Sequence, residues 1–255
     1  MPEPRSRTAL VTGASRGIGA ATAQALAAAG FRVAVHYARD AAAAERVRVS
    51  LEGHGHCTLG ADFATGSEDA CRALIEAAIA RLDGLTVLVN NAGRYEEHPL
   101  HAQTGASWSA AWQRTLALNL VAPAHLAFHA TRHMAAHGGG RIINISSRGA
   151  FRGEPDAPAY GASKAGLIAL SQSLAQALAR DGVLSFAIAP GFVATDMARE
   201  LLESPRGTEI RAQSPLDRVT TPEEVAAIVR FCATDAPAAM TGAILDVNGA
   251  SYLRS

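Results

Sequence analysis

The sequence predicts a doubly wound α/β fold, a parallel sheet of about seven strands with helices on both faces. Three observations carry that expectation. Short apolar runs alternate with long, Ala-rich amphipathic segments to the end of the chain. Most of the runs are continuously apolar rather than alternating, as strands covered on both faces require. With 255 residues, 49% of them hydrophobic, the chain can bury a large core without disulfides or metal.

Taken in order, the first strand falls at 8–12 and runs through a glycine-rich turn into a helix at about 17–29. The second, Phe31-Arg-Val-Ala-Val-His-Tyr37, precedes a helix at 41–53, and the third, 56–60, one at 67–82. The strand at 85–90 leads to a long helical stretch, 107–137, with a break. Strands at 140–146 and 183–189 are followed by helices at 157–180 and 222–234, and 243–247 closes the sheet. Strand-helix-strand repetition implies right-handed crossovers between parallel neighbours. No linker, composition shift or fixed-period repeat divides the chain, so residues 1–255 are expected to form one domain. The least regular stretch, 191–221, leaves the carboxyl end of a strand, where ligands of such sheets bind. It is a candidate substrate loop, and its length suits a plain connector equally well.

Twenty-three basic side chains balance 23 acidic ones, Lys164 is the only lysine, and no run of five or six like charges occurs. This weighs against nucleic acid and anionic membrane as partners. Cys57, Cys71 and Cys232 form no paired spacing and read as buried thiols in a reducing compartment. The polar N-terminus leads into an apolar run too short for a secretion signal, and no run reaches the roughly 18 residues of a membrane span. A soluble, cytoplasmic protein is expected.

After the first strand comes Thr12-Gly-Ala-Ser-Arg-Gly-Ile-Gly19. Gly13 can adopt a conformation closed to other residues, and Gly17 and Gly19, lacking a Cβ, let a diphosphate approach the first helical amides. A tight strand-to-helix turn is the plainer reading of glycines alone; their place after the first strand points to a nucleotide. Farther on, Tyr160 and Lys164 stand four apart on a helix and so share a face. An ammonium beside a phenol favours the phenolate and is expected to lower its pKa toward neutrality. Ser146 and Ser147 end a strand and point to opposite sides, so only one can face a site.

The spacing Thr-Gly-x-x-x-Gly-x-Gly resembles the short-chain dehydrogenase/reductase family. The likeness extends through Asn90-Asn-Ala-Gly93, Asn119, Ser147, Tyr160-Gly-Ala-Ser-Lys164, Pro190-Gly191 and Thr195. It implies a Rossmann-like fold and a cofactor site formed by Gly13, Ser15, Arg16, Gly17, Ile18, Gly19, Arg39, Asp62, Asn90, Ala92, Gly93, Tyr160, Lys164, Pro190, Gly191 and Thr195. It also implies a catalytic group of Asn119, Ser147, Tyr160 and Lys164. In that scheme Ser147, thirteen residues before Tyr160, polarises a carbonyl. Tyr160 protonates it, Lys164 stabilises the phenolate and anchors the nicotinamide ribose, and Asn119 holds a water on the proton path. Thr195 bonds the carboxamide, and Asp62 the adenine.

The second strand ends His36-Tyr37-Ala38-Arg39, without the carboxylate that enzymes preferring NAD place there. Arg16 stands where NADP-dependent members hold a basic residue, and Arg39 adds a second positive charge. NADP is therefore the expected cofactor.

Among the family's members the chain looks most like 3-oxoacyl-[acyl-carrier-protein] reductases, partly from Thr241–Gly249. The expected reaction is hydride transfer from NADPH to a ketone, as in a 3-oxoacyl thioester. Two alternatives stand beside it: an alcohol or ketone dehydrogenase on a small or polyketide-type substrate, and a non-catalytic NADP-binding sensor or scaffold. The stretch 94–108 departs from the usual reductase loop and a single lysine leaves arginines alone to meet an acidic carrier, so acyl carrier protein is left open as a partner. A homotetramer is implied by the resemblance. Finally, His125, His129, His133 and His137 recur every four residues. No carboxylate or cysteine beside them in sequence completes a metal site, and a solvated or interfacial stripe is expected.

Overall fold

A computed structural model describes residues 7–195 and 198–254; the N-terminal residues 1–6, Ser255, and Asp196 and Met197 of the expected loop lie outside the described residues. Seven parallel strands, β1 (Thr8–Val11), β2 (Arg32–Tyr37), β3 (Cys57–Gly60), β4 (Val87–Asn90), β5 (Gly140–Ile145), β6 (Val183–Pro190) and β7 (Ile244–Val247), are ordered β3-β2-β1-β4-β5-β6-β7. The order reverses between β1 and β4, which creates a crevice beyond their carboxyl ends.

The helices are α1 (Gly17–Ala28), α2 (Ala41–Ser50), α3 (Glu68–Leu82), α4 (Gly105–Leu116), α5 (Ala122–Ala136), α6 (Gly149–Arg152), α7 (Pro158–Leu178), α8 (Arg199–Glu203), α9 (Pro205–Ala212) and α10 (Pro222–Thr234). They cover two apolar layers. On one side Ala23 and Leu26 of α1 and Val225 and Val229 of α10 pack on Val11, Val33 and Ile143. On the other, Leu74, Ile75 and Ala78 of α3 and Leu126 and Ala130 of α5 pack on Leu10, Leu88 and Ile142.

Three departures from the sequence reading have local causes. The β4 ladder begins at Val87 rather than 85, because the Leu85 N–H donates to His133 Nε2 at 3.2 Å. The break in 107–137 is a π-helical turn, Ala117–Val121, that carries Asn119 and leads into α5 without interruption. The stretch expected to be irregular, 191–221, contains α8 and α9 and is pinned by a bridge between Val193 and Thr220.

Candidate active site

The turn between β1 and α1 is a cradle shaped by its glycines. Gly13 and Gly17 adopt φ of +63° and +55°, in the left-handed region. A Cβ at Gly19 would run into the Gly13 carbonyl oxygen and stand 2.6 Å from Asn91 Nδ2. Neighbouring strands hold the turn from below. Asn91 Nδ2 donates to the Thr12 and Gly13 carbonyls (2.8 and 3.2 Å), while Thr12 Oγ1 accepts from the N–H groups of Asn91 and Ala92 (2.9 and 3.0 Å). Helix α1 has no side-chain cap and no acid in its first turn, so the amides at Gly17, Ile18 and Gly19 offer their partial positive charge to a ligand. These residues fit a dinucleotide diphosphate.

His36 secures the same turn from β2. Its Nδ1 accepts the Gly13 N–H at 3.0 Å, its Nε2 lies 2.9 Å from the Ala61 oxygen, and its ring stacks on Phe63. Nδ1 must therefore be the bare nitrogen and Nε2 the donor. Burial pushes its pKa down to about 4, so the ring is neutral at physiological pH.

Around the cradle, Arg16 and Arg39 are exposed, and among the described residues neither guanidinium has a hydrogen-bond or ion-pair partner. Ser15 lies half-buried in the turn. The Asp62 carboxylate accepts from the Ala64 N–H at 2.8 Å, a turn-capping contact. Asn90 is buried and donates to Asn144 Oδ1 at 2.9 Å, within the sheet. A Cβ on Gly17 would lie 3.2 Å from Thr195 Cγ2, so Thr195 borders the cradle. Pro190 accepts from the Arg148 N–H (2.9 Å), and the Gly191 N–H donates to Val247 O (3.0 Å), joining the ends of β5, β6 and β7.

Beside this crevice stand the four side chains of the expected catalytic group. Strand alternation divides the serines. Ser146 Oγ turns inward to donate to Lys164 O (2.9 Å), whereas Ser147 Oγ accepts from the Gly149 N–H (3.0 Å) on the side of the Tyr160 hydroxyl. Lys164 is buried, donates from Nζ to Ile145 O at 2.8 Å and lies 5.7 Å from the centre of the Tyr160 ring. In the π turn, Asn119 accepts the Arg94 N–H at Oδ1 (2.8 Å) and donates from Nδ2 to Arg94 O and Ser163 Oγ (2.9 and 3.1 Å). Gly93 closes the group: a Cβ there would be 3.4 Å from Lys164 Nζ and 3.5 Å from Asn119 Oδ1.

One electrostatic expectation needs correction. The Tyr160 phenol is pushed up from its ordinary value by burial, pulled down by the neighbouring Ser147 hydroxyl and pushed up again by Glu154. Lys164 is shifted the other way: burial lowers its pKa to about 8.

The histidine stripe also differs from a single solvated row. His129 meets Glu68 of α3 at 2.5 Å, a carboxylate remote in sequence, and His133 and His137 stack at 4.1 Å. Among the described residues no group of three or more potential ligands could hold a metal ion.

Sequence reasoning missed three side chains. His36 was visible only as a polar residue in an apolar strand. Tyr95, whose ring meets Tyr160 edge-on at 5.2 Å, and Arg148 gave no sequence signal. Arg148 is buried directly after Ser147, and donates to Gln213 Oε1, just beyond α9, at 2.5 Å.

Comparison with known proteins agrees with this geometry. A family model described as enoyl-(acyl carrier protein) reductase matches residues 13–250. The chain is 39% identical to a 3-oxoacyl-[acyl-carrier-protein] reductase of Synechocystis sp. over 96% of both chains. It is 39% identical to a cis-4-hydroxycyclohexanecarboxylate dehydrogenase of Sinomonas cyclohexanicum over 95% of both. It is 37% identical to an acetoacetyl-CoA reductase of Rhizobium meliloti over 97% of this chain and 99% of the other.

Proposed function

The chain belongs to the short-chain dehydrogenase/reductase family and is an oxidoreductase, and we propose that it reduces the ketone of a 3-oxoacyl thioester with NADPH. The observation that carries the reading is the meeting of Ser147, Tyr160, Lys164 and Asn119 beside the glycine cradle. A nucleotide-binding sensor needs only the cradle; a proton-transfer group beside it belongs to an enzyme.

When bound, NADPH supplies a hydride. Ser147 Oγ already accepts from Gly149, so its hydroxyl hydrogen is available to the substrate carbonyl. Tyr160 gives its proton to the oxygen as negative charge develops there. A phenol held above its ordinary pKa keeps that proton at neutral pH until the alkoxide claims it. Lys164, charged at pH 7, stabilises the phenolate then formed and holds the ribose. In this reading Asn119 supports the water that returns a proton to Tyr160.

NADPH rather than NADH is supported by the unpartnered guanidinium groups of Arg16 and Arg39 and by the lack of an acid at the end of β2. Acyl carrier protein as one carrier of the thioester is supported by the names of the relatives. A homotetramer is part of the proposal, supported by exposed Val121 and Phe128 on the outer face that leads into α5. So is a cytoplasmic setting, supported by three free, buried cysteines. No helix of the described residues is long and apolar enough to cross a membrane. The 191–221 stretch is proposed as the substrate loop, supported by the Arg148–Gln213 bond.

The equal identity to the cyclohexanecarboxylate dehydrogenase favours a second reading, a small hydroxy-acid dehydrogenase. Initial rates with acetoacetyl-CoA and with free keto acids, using NADPH and NADH in parallel, separate the two. The proposal expects the thioester with NADPH to be preferred. Turnover of free keto acids alone would replace the thioester reading.

A further inference from the structure

We propose that His98 is a positioning residue for the helix that carries Tyr160 and Lys164, acting as a cap supplied from a distant loop. The backbone at the start of α7 can be accounted for group by group. Pro158 has no N–H. The N–H groups of Tyr160 and Gly161 both donate to Ala157 O, at 2.9 and 3.3 Å. Ala157, at the cap position, contributes no side-chain bond. That leaves the Ala159 N–H, immediately before Tyr160, and it donates to His98 Nε2 at 3.2 Å.

His98 is itself held so that only this arrangement is possible. It is 1% exposed, its Nδ1 is 2.8 Å from Glu96 O, and its own N–H donates to Asp156 O at 2.7 Å. A carbonyl facing Nδ1 requires that nitrogen to carry the hydrogen, which leaves Nε2 as the acceptor the helix needs. The Trp108 ring lies edge-on at 5.5 Å and limits rotation of the imidazole.

The other end of this short segment reaches the same site. Arg94 exchanges two backbone hydrogen bonds with the Asn119 side chain, the Tyr95 ring meets Tyr160, and Glu96 is paired with Arg114 of α4. Residues 94–98 therefore strap the π turn to the first turn of α7, with His98 as the terminal fixing. A helix end released by even an ångström would misplace the Tyr160 hydroxyl relative to Ser147.

The inference rests on Tyr160 being the proton donor, and its test has one arm that does not. His98→Asn places an amide near Nδ1 but cannot reach Ala159, whereas His98→Gln extends an acceptor to the place of Nε2. Amide hydrogen exchange of a peptide covering residues 157–163 is expected to accelerate about tenfold or more in the Asn variant and to stay within about threefold of wild type in the Gln variant. With acetoacetyl-CoA, kcat is expected to fall about tenfold in the Asn variant and to recover in the Gln variant, with NADPH affinity in both within about twofold.

Equal exchange in all three proteins would overturn the proposal. So would an Asn variant that loses kcat and NADPH affinity together, or a Gln variant no better than Asn. If wild type shows no turnover, the reaction reading fails while exchange still decides the capping role. If the Asn variant does not fold, a tenfold loss of protection in the Gln variant overturns the proposal.

Discussion

Replacing His36 with glutamine removes a buried titratable group from beneath the glycine turn, and its effect on stability follows from the structure. Burial holds the folded-state pKa at about 4, against an ordinary value of 6.5. Between those values the unfolded chain binds a proton that the folded chain excludes. Stability therefore falls as pH drops through 6.5 and levels out below 4. The whole difference corresponds to roughly 3 kcal/mol, of which about 2 kcal/mol is lost between pH 7.5 and 5.0. Glutamine does not titrate, and the chain's other ionisable groups change in the same way in both proteins. Urea denaturation followed by circular dichroism should show wild type losing about 2 kcal/mol more than His36→Gln over that interval. Parallel pH profiles would refute the assignment of a neutral, buried imidazole bonded to Gly13.

Other substitutions address the remaining parts of the site. Gly19→Ala drives a Cβ against Gly13, Ala14 and Asn91, and NADPH affinity measured by nicotinamide fluorescence should fall about tenfold or more. An unchanged affinity would mean that the turn yields. Arg16→Ala removes one charge-assisted contact to the proposed 2′-phosphate, so kcat/KM with NADPH should fall roughly 10- to 100-fold while the value with NADH holds. Equal losses with both cofactors would remove the NADP assignment. Gln213→Leu deprives the buried Arg148 guanidinium of its acceptor and should cost about 2 kcal/mol in urea denaturation, with a higher KM for substrate. Unchanged stability and KM would show that this bond does not fix the loop.

The sheet was legible because parallel strands buried on both faces are continuous apolar runs; all seven expected strands form, with ends shifted by at most two residues. The glycine turn and the Tyr160–Lys164 pair were legible because each is a local pattern whose spacing is its geometry. What escaped was long-range. Leu85 leaves its strand for the ring of His133, 48 residues away, and the Ala159 N–H finds its acceptor 61 residues upstream in His98. Nothing near either residue in sequence signals such a partner. The phenol's raised pKa escaped for a related reason. Four-residue spacing put a lysine near a tyrosine, but the burial that raises the phenol's pKa and lowers the lysine's arises only from the packing of α7 against β5 and the π turn.

The central claim, hydride transfer to an acyl ketone with Tyr160 as proton donor, is tested most directly by following deuterium from NADPH labelled at C4 of the nicotinamide into acetoacetyl-CoA. Mass spectrometry of the product is the readout. With the label on the transferred face, the account predicts 3-hydroxybutyryl-CoA carrying one deuterium at C3, and transfer at saturating NADPH slowed at least about a hundredfold in Tyr160→Phe. Label-free product, no product at all, or equal transfer in the Tyr160→Phe variant would contradict it.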